Sequence, residues 1–247
     1  MHKIFLVLFG LITGVSAIAQ QNETIEVFDS KWRSSSEKKA QYLRRSYKLG
    51  DSCYVWEYYQ YKGPMIRSER TADSEGKVFH GASYHYNEAG FLDSMGTFRQ
   101  GKKHGEFVRL KPDKFAYDVI YTYSNDSLVN IELVKPKPKA DLAGNALEQE
   151  SDYPGGAGAW QRFLNQNLRY PERSINLRAM GTAIVAFAVD ETGGVTGPFL
   201  VRSVELGIDS ESLRMIKKSG KWTPAVRNGE PVKSFKLQPL TFRLEKG

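Results

Sequence analysis

The chain has 247 residues, and its 35 lysines and arginines outnumber its 28 aspartates and glutamates, which gives a formal net charge of +7. Its one cysteine, Cys53, excludes an intrachain disulfide, so the fold must rest on apolar cores. The basic residues are scattered among carboxylates. This favours a solvated surface over a nucleic-acid site, and we expect no nucleic-acid partner.

The first residues have the pattern of an export signal. A basic start, Met1-His2-Lys3, precedes the apolar run Ile4–Val15, and Ala17-Ile18-Ala19 places small residues at the cleavage positions. We predict a cleaved signal peptide at residues 1–19 and a periplasmic location. The alternative is an uncleaved segment that anchors the chain in the inner membrane, facing the periplasm, although a span needs about 20 apolar residues.

Residues 20–134 are predicted to form antiparallel β-hairpins. Alternating aromatic residues end at turn residues, as Tyr84-His85-Tyr86 ends at Asn87–Gly90 and Tyr117–Tyr123 ends at Ser124–Ser127. Such alternation, bounded by Gly, Asn and Asp, is typical of hairpins. Residues 26–47 are predicted to be a strand followed by a basic segment on the surface.

The hairpin region also contains a repeat. Phe79-His80-Gly81 recurs as Lys103-His104-Gly105 after 24 residues, and a fixed period indicates stacked hairpins. Residues 96–107, GTFRQGKKHGEF, resemble a MORN-type repeat in the divergent form seen in exported proteins of Bacteroidota. The resemblance implies structural roles for Gly101, His104 and Gly105, with the glycines at positive-φ turns.

A proline-containing stretch separates the two halves of the chain. Lys135–Lys139 (KPKPK) and the small polar residues after it predict a linker at residues 135–150. The glycine turn Gly155–Gly158 then precedes apolar residues at helical spacing, which predicts that a helix begins there. This turn matches a phosphate-binding loop poorly, because no strand precedes it and Ala159-Trp160 follows it in place of Lys-Ser. The helical stripe consists of Trp160, Phe163, Leu164 and Leu168.

The remaining C-terminal residues predict two strands, a helix and a last strand. The first two strands are expected at Thr182–Val189 and Val195–Val204. Asp209 is predicted to be the N-cap of the helix, because Ile208 and Leu213 then have the N′ and N4 spacing of a hydrophobic staple. The helix should end at Gly220. The predicted fold class is α+β, with N-terminal antiparallel hairpins and a small C-terminal module.

The last strand is predicted over Val232–Leu244. Its apolar residues change phase along the strand, since Phe235 and Leu237 do not alternate in step with Leu240 and the residues after it. Because a shift of one residue moves side chains to the other face, this predicts a bulge or register shift at Gln238-Pro239. Proline is confined to edges and bulges, so one side of the strand should be open.

Several motifs in a fixed order carry a family resemblance. From about residue 150 to 245, the chain resembles the C-terminal domain of TonB energy transducers. We therefore predict a TonB-like domain at residues 151–247, after a MORN-like domain at residues 20–134. The matching positions are Tyr170 and Pro171; Gly181, Phe187, Val189 and Gly194; Asp209 and Leu213; Trp222 and Pro224; Asn228, Gly229, Pro231 and Val232; Phe242 and Leu244.

This resemblance implies a protein that binds an extended peptide, the TonB box of an outer-membrane transporter, along a sheet edge. Adding a strand to an open edge agrees with the expected geometry of the last strand. Trp160, Trp222 and Phe242 are interpreted as core residues, and Pro224 as part of a structural motif. The predicted peptide contacts are Arg169, Tyr170, Pro171, Ser234, Phe235, Lys236, Leu237, Gln238, Pro239 and Leu240.

We expect no enzyme, no cofactor, no metal site and no small-molecule substrate. The sequence lacks the residue spacing of a zinc site and a G-x-S-x-G nucleophile motif. Two alternatives remain beside peptide binding. The first is a membrane-anchored transducer with an uncleaved N-terminal helix, and the second is a structural module that self-associates as a homodimer through an edge strand.

Overall fold

The computed structural model describes residues 23–111, 116–133 and 147–244. Two main sheets lie in this part of the chain, one before and one after residue 147. The first, here called the N-terminal sheet, is an antiparallel meander in which each strand from β1 to β6 pairs with the next. Its strands are β1 (Thr24–Phe28), β2 (Tyr42–Lys48), β3 (Tyr54–Gln60), β4 (Met65–Thr71), β5 (Phe79–Tyr86), β6 (Leu92–Arg99), β7 (Lys102–Lys103), β8 (Gly105–Lys111), β9 (Ala116–Ser124) and β10 (Ser127–Leu133).

An aromatic column crosses the second half of this sheet. The ring centroids of Phe79 and Phe98 are 5.2 Å apart, those of Phe98 and Phe107 5.4 Å, and those of Phe107 and Tyr123 5.2 Å. The Phe107 ring lies on the backbone of Gly96, where an added Cβ would be 2.1 Å from a ring carbon. Cross-strand aromatic pairs of this kind stabilise neighbouring strands and fix their register.

The C-terminal module, residues 147–244, places helices against a three-stranded sheet of order β12-β11-β15. The α+β fold class is confirmed. A short helix and a small hairpin, β13–β14, were not predicted. The elements are α1 (Gly156–Asn167), α2 (Glu172–Asn176), β11 (Gly181–Val189), β12 (Val195–Arg202), α3 (Leu206–Lys218), β13 (Ala225–Arg227), β14 (Glu230–Val232) and β15 (Ser234–Phe242).

Helix α1 begins where the glycine turn predicts. Gly155 is its N-cap with φ 85°, a left-handed conformation that glycine adopts at little cost. Trp160 is 8 % exposed, and the other stripe residues pack against the same core. The glycines therefore bend the chain into a helix whose apolar stripe faces the sheet.

The predicted start of α3 is wrong. The N-cap is Glu205, whose side chain accepts a hydrogen bond from the Gly207 N–H at 2.9 Å. Asp209 lies inside the first turn and is buried; its carboxylate accepts hydrogen bonds from the Ser203 hydroxyl and, at 2.8 Å, from the Val204 N–H. Both acids suit a helix N-terminus, but the chain enters the helix one turn earlier than the Ile208–Leu213 spacing suggests.

The predicted bulge in the last strand is also wrong. β15 pairs with β11 in one uninterrupted register, from Gly181 opposite Phe242 to Val189 opposite Ser234. The apolar phase change has another cause: Phe235 and Leu237 lie on the exposed face of a regular strand. The strand also begins at residue 234, because residues 230–232 belong to the β13–β14 hairpin at the Asn228-Gly229 turn.

The N-terminal sheet and the C-terminal module share one apolar cluster. Leu43, Tyr59 and Met65 of β2–β4 belong to the same buried cluster as Phe187 and Ile216 of the module. Leu43 is fully buried, so the prediction of a basic surface segment at residues 26–47 is wrong for β2. Burying each large apolar side chain contributes roughly 1.5 to 3 kcal/mol, so this shared core is a substantial attachment between the two regions.

A second, smaller cluster covers part of the other face of the three-stranded sheet. Leu92 of β6 packs with Ala186 of β11 and Val201 of β12. The rings of Tyr84 and Phe199 stack beside it, with centroids 5.1 Å apart. The N-terminal sheet therefore contacts both sides of the module.

Hydrogen bonds fix this attachment. The Tyr86 hydroxyl donates to the Leu200 carbonyl at 2.9 Å, and the Met65 N–H donates to the Ser203 hydroxyl at 2.7 Å. The Ser203 N–H donates to the Gly90 carbonyl at 2.8 Å. The predicted signal peptide and most of the predicted linker lie outside the described residues.

Candidate functional site: the open edge of β15

Strand β15 is an edge strand of the three-stranded sheet. It pairs with β11 along its whole length, and in the sheet order it is the last strand. β11 supplies a buried, β-branched and aromatic partner strand, which is typical of the centre of a small sheet. The side of β15 that faces away from β11 is called the open edge below.

The side chains of β15 alternate strictly between two environments. Leu240 and Phe242 point to the inner face, which is covered by the helices, and are 1 % and 2 % exposed. Phe235 and Leu237 point to the outer face and are 76 % and 45 % exposed. Exposed large apolar side chains on an edge strand form a surface that a further strand can cover.

Pro239 reveals which backbone groups of β15 point to the open edge. In an antiparallel ladder, alternate residues direct their N–H and C=O groups to the same side. Proline has no N–H, so it fits a regular strand only where that group would face away from the partner. The Pro239 carbonyl accepts a contact from the Gln238 side-chain amide at 3.4 Å, which agrees with this orientation.

By the same alternation, Phe235, Leu237 and Thr241 direct their N–H and C=O groups to the open edge. Each of these residues is separated from Pro239 by an even number of positions along β15, so its backbone groups point to the same side as those of Pro239. Pro239 interrupts the row of donors, which leaves two donors before it and one after it. The residues with inward side chains, which include Ser234, use their backbone groups to pair with β11.

The charged residues near the start of β15 are basic. The Lys233 Nζ lies 5.9 Å from the centre of the Phe235 ring. The Lys236 ammonium points to the inner face and donates a hydrogen bond to the Ser151 carbonyl. Lys236 therefore ties the segment before α1 to the sheet, which differs from the peptide contact predicted for it.

The predicted Arg169-Tyr170-Pro171 segment lies at the other end of β15. The Tyr170 ring packs edge-on against the Phe242 ring, with centroids 5.5 Å apart, and its hydroxyl donates to the Ala179 carbonyl at 2.5 Å. The Arg169 N–H donates to the Glu211 carboxylate at 2.7 Å. The segment is thus held on the inner face, beside the C-terminal end of β15 and away from Phe235.

An aromatic cluster supports the sheet from the inner face. Trp222 is 3 % exposed, and its ring centroid lies 4.9 Å from that of Phe187 and 5.5 Å from that of Trp160. Tyr153, which the sequence analysis did not single out, completes the cluster at 5.2 Å from Trp160. Pro224 follows Thr223, whose bridge to Asp152 closes this corner.

Buried titratable groups occur where the N-terminal sheet meets α3, outside the open edge. Burial raises the pKa of Glu57 above its usual range, and this carboxylate accepts hydrogen bonds from Arg45 at 3.4 Å and Tyr47 at 3.2 Å. Burial likewise raises the pKa of Asp209 to about 7. Arg45 also donates to the Ser210 hydroxyl at 2.9 Å, so the group joins the two regions.

Residues 96–107, for which a MORN-like repeat is predicted, lie in β6–β8 of the N-terminal sheet. Gly101 and Gly105 have φ values of 81° and 88°, as expected for glycine turns. The His104 N–H donates to the Thr97 carbonyl at 2.9 Å. These residues shape the β6–β8 connection and do not belong to the open edge of β15.

The described residues contain neither a cluster of potential metal ligands nor a helix that could span a membrane. Within residues 23–111, 116–133 and 147–244, His, Cys, Asp and Glu side chains do not gather in groups of three or more that could hold a metal ion. No helix in those ranges has the length and apolar character to cross a membrane.

Comparison with known proteins agrees with the geometry of the C-terminal module. Residues 166–244 match the family model of the Gram-negative bacterial TonB protein C-terminal domain. Neither the curated proteins nor the solved structures gave a significant match. Domains of this family are interaction domains that contact outer-membrane transporters. The chain is therefore similar to that family over residues 166–244, which is less than half of its length.

Proposed function

We propose that the C-terminal module binds an extended segment of an envelope protein by adding it as a fourth strand at the open edge of β15. One observation carries the proposal: β15 pairs on one side only, and its outward Phe235 and Leu237 side chains are 76 % and 45 % exposed. Native proteins usually protect edge strands that have exposed apolar residues, because such strands readily pair with other chains. The proposed partner is the TonB box of an outer-membrane transporter.

The open edge constrains how such a segment would bind. Main-chain hydrogen bonds contribute about 0.5 to 1.5 kcal/mol each, and Pro239 leaves few donors available. Most of the affinity would therefore come from covering Phe235 and Leu237 with apolar side chains of the partner. Arg169, Tyr170 and Pro171 would flank the far end of the bound strand. Of the inward residues of β15, Ser234, Lys236, Gln238 and Leu240 would position the edge from behind.

We further propose that the N-terminal sheet is a MORN-like scaffold and that the protein acts in the periplasm. The two His-Gly positions support the repeat, because Gly81 and Gly105 both have positive φ, 108° and 88°. Periplasmic release depends on cleavage after Ala19. Mass spectrometry of the exported protein should find an N-terminus at Gln20 or Gln21. A mature chain that keeps Met1 would instead favour the membrane-anchored transducer.

Titration with a synthetic TonB-box peptide, followed by calorimetry or fluorescence, tests strand addition. We expect saturable binding to the wild-type chain. Leu237→Pro should weaken it at least tenfold, because it removes an outward N–H and part of the apolar surface while the β11 pairing is kept. Leu237→Ala, which keeps the N–H, should weaken it less.

Leu128→Ala is the matched control, since Leu128 is 47 % exposed on the edge strand of the other sheet. Its peptide affinity should equal that of the wild type. Absence of saturable binding by the wild type would contradict the proposal, as would equal affinities for the wild type and Leu237→Pro. Loss of binding in Leu128→Ala would place the site on the N-terminal sheet instead.

A further inference from the structure

The other exposed edge strand of the molecule, β10, is unusually apolar. All seven of its residues are exposed, and its only charged residue is Glu132. Leu128, Val129, Ile131 and Leu133 are 47 %, 60 %, 54 % and 68 % exposed, which is the densest group of exposed apolar residues in the described chain. Natural edge strands usually carry lysine or proline, or are covered by another element, which prevents association with other strands. β10 contains neither lysine nor proline.

The edge strands β1 and β15 each carry a feature that limits pairing and that β10 lacks. At the opposite end of the N-terminal sheet, β1 carries Glu26, which pairs with Arg44 at 2.6 Å, and Phe28 forms a bridge with Ser34. β15 contains Pro239. Among the described edge strands, β10 therefore exposes the most large apolar side chains.

The backbone of β10 directs its free groups outward at the apolar positions. Asn125 and Asp126 have φ values of 50° and 71°, so they form a type I′ turn, and Ser124 and Ser127 are the hydrogen-bonded pair that closes it. From that pair onward, hydrogen-bonded and non-hydrogen-bonded pairs alternate along β9 and β10, with a one-residue shift at Val129. Leu128 and Ile131 therefore occupy non-hydrogen-bonded positions opposite β9. Their N–H and C=O groups therefore point away from β9.

We propose that two copies of this chain pair through antiparallel β10 strands, which joins their N-terminal sheets into one continuous sheet. A two-fold axis at Ile131 places Ile131 opposite its own copy and Asn130 opposite Glu132, and it brings the Leu128–Val129 bulge opposite Leu133. Apolar residues then meet apolar residues, and each carboxylate faces an amide. The strand is thus complementary to itself, as an isologous interface requires.

The same pairing extends the apolar face of the sheet. In the ladder, Leu128 lies opposite Tyr123, Ile131 opposite Tyr121 and Leu133 opposite Val119. These residues continue the aromatic column through Phe107, whose ring contacts that of Tyr123. The β10 strand of a second copy would cover the exposed end of this column with apolar side chains. A charged or strongly polar partner strand would not be complementary to this apolar surface. This is independent of peptide binding at β15.

Sedimentation equilibrium of the mature full-length chain, over about 1 to 100 μM, tests the proposal. We expect a reversible monomer–dimer equilibrium. Ile131→Lys should weaken dimerisation at least tenfold, because it places two ammonium groups opposite each other across the two-fold axis. Ile25→Lys is the matched control, as Ile25 is 50 % exposed on the opposite edge strand, and its dimer affinity should be that of the wild type.

A disulfide test checks the register. In a Cys53→Ser background, Ile131→Cys should form a covalent dimer on mild oxidation, since Cα atoms of a hydrogen-bonded antiparallel pair lie about 5.5 Å apart, within disulfide range. A strictly monomeric wild type would overturn the proposal. So would a dimer that survives Ile131→Lys but is lost in Leu237→Lys, which would assign self-association to β15.

Discussion

The two edges of the three-stranded sheet differ in what lies beside them. At the β12 edge, Arg202 forms a bridge with Phe91, and the Ser203 N–H donates to the Gly90 carbonyl at 2.8 Å. At the β15 edge, Phe235 and Leu237 remain exposed. The N-terminal sheet therefore covers the C-terminal end of the β12 edge, whereas the outward side chains of β15 stay exposed, which supports the proposal of strand addition at β15.

Gly90→Ala is expected to have the largest effect on this difference. Gly90 has φ 82°, and a Cβ there would lie 2.4 Å from the Ser203 carbonyl oxygen and 2.7 Å from Pro64. Backbone strain and overpacking together should lower the free energy of unfolding by roughly 3 to 5 kcal/mol. Urea denaturation measures the change.

Gly50→Ala is its control, because Gly50 has a similar φ of 73° and no atom within 4 Å of the added Cβ. It should cost about 1 to 2 kcal/mol from strain alone. Equal losses for the two variants would mean that the Gly90–Ser203 contact does not hold the β12 edge.

Arg173→Ala should have an intermediate effect. The Arg173 guanidinium donates to the Glu205 carboxylate and to the Tyr61 carbonyl, both at 2.6 Å, and thus links α2, α3 and the N-terminal sheet. Glu205 is 1 % exposed, so removing its cation leaves a buried carboxylate with fewer donors. Because Arg173 is itself partly exposed, we expect a loss of about 2 kcal/mol, measured by urea denaturation.

Lys77→Ala provides the comparison, since the Lys77–Glu75 pair is 75 % and 66 % exposed. It should change stability by less than about 0.5 kcal/mol. A loss as small in Arg173→Ala would show that this ion pair adds nothing to the attachment between the two regions.

The pH dependence of stability depends on the buried Asp209 carboxyl, which lies where α3 meets the N-terminal sheet. Burial raises the pKa of Asp209 from 3.8 to about 7, so between these values the folded chain binds more protons than the unfolded chain. The contribution of Asp209 to stability is therefore present at low pH and is lost as the pH rises to about 7. Glu57 and Glu205 are the acidic neighbours that add to the shift.

Asp209→Asn should reduce this decline, because the amide oxygen can still accept from the Val204 N–H and no charge has to be buried. Thermal melts from about pH 4.5 to about pH 7.5 should show a smaller loss of Tm in the variant than in the wild type. The same loss in both would mean that Asp209 does not titrate in this range.

The features that depend on local signals could be predicted from the sequence. Helix α1 follows from Gly155 and its apolar stripe, and the turns at Asn87–Gly90 and Asn228-Gly229 follow from residues that tolerate positive φ. Pro239 predicts an edge strand because it lacks an N–H, whichever fold surrounds it. These signals act over a few residues and need no knowledge of distant contacts.

The features that depend on contacts between distant residues could not be predicted. Leu43 lies in a basic stretch, and only the packing of β2 against the module makes it a core residue. Asp209 looks like an N-cap by spacing, but Ser203 and Val204 hold it inside the first turn. The phase change at Phe235 resembles a bulge, since alternation cannot distinguish a displaced strand from an exposed apolar face.

The sequence by itself determined the α+β class, the order of the two longer helices and three longer strands in the C-terminal module, and the strand with an open side. Each follows from periodicity, turn residues and proline, which act locally. The tertiary structure decided which edge stays open and which is covered, because that depends on how β5 and β6 pack beside β12. It also revealed β10 as a second apolar edge, since exposure is a property of the assembled fold.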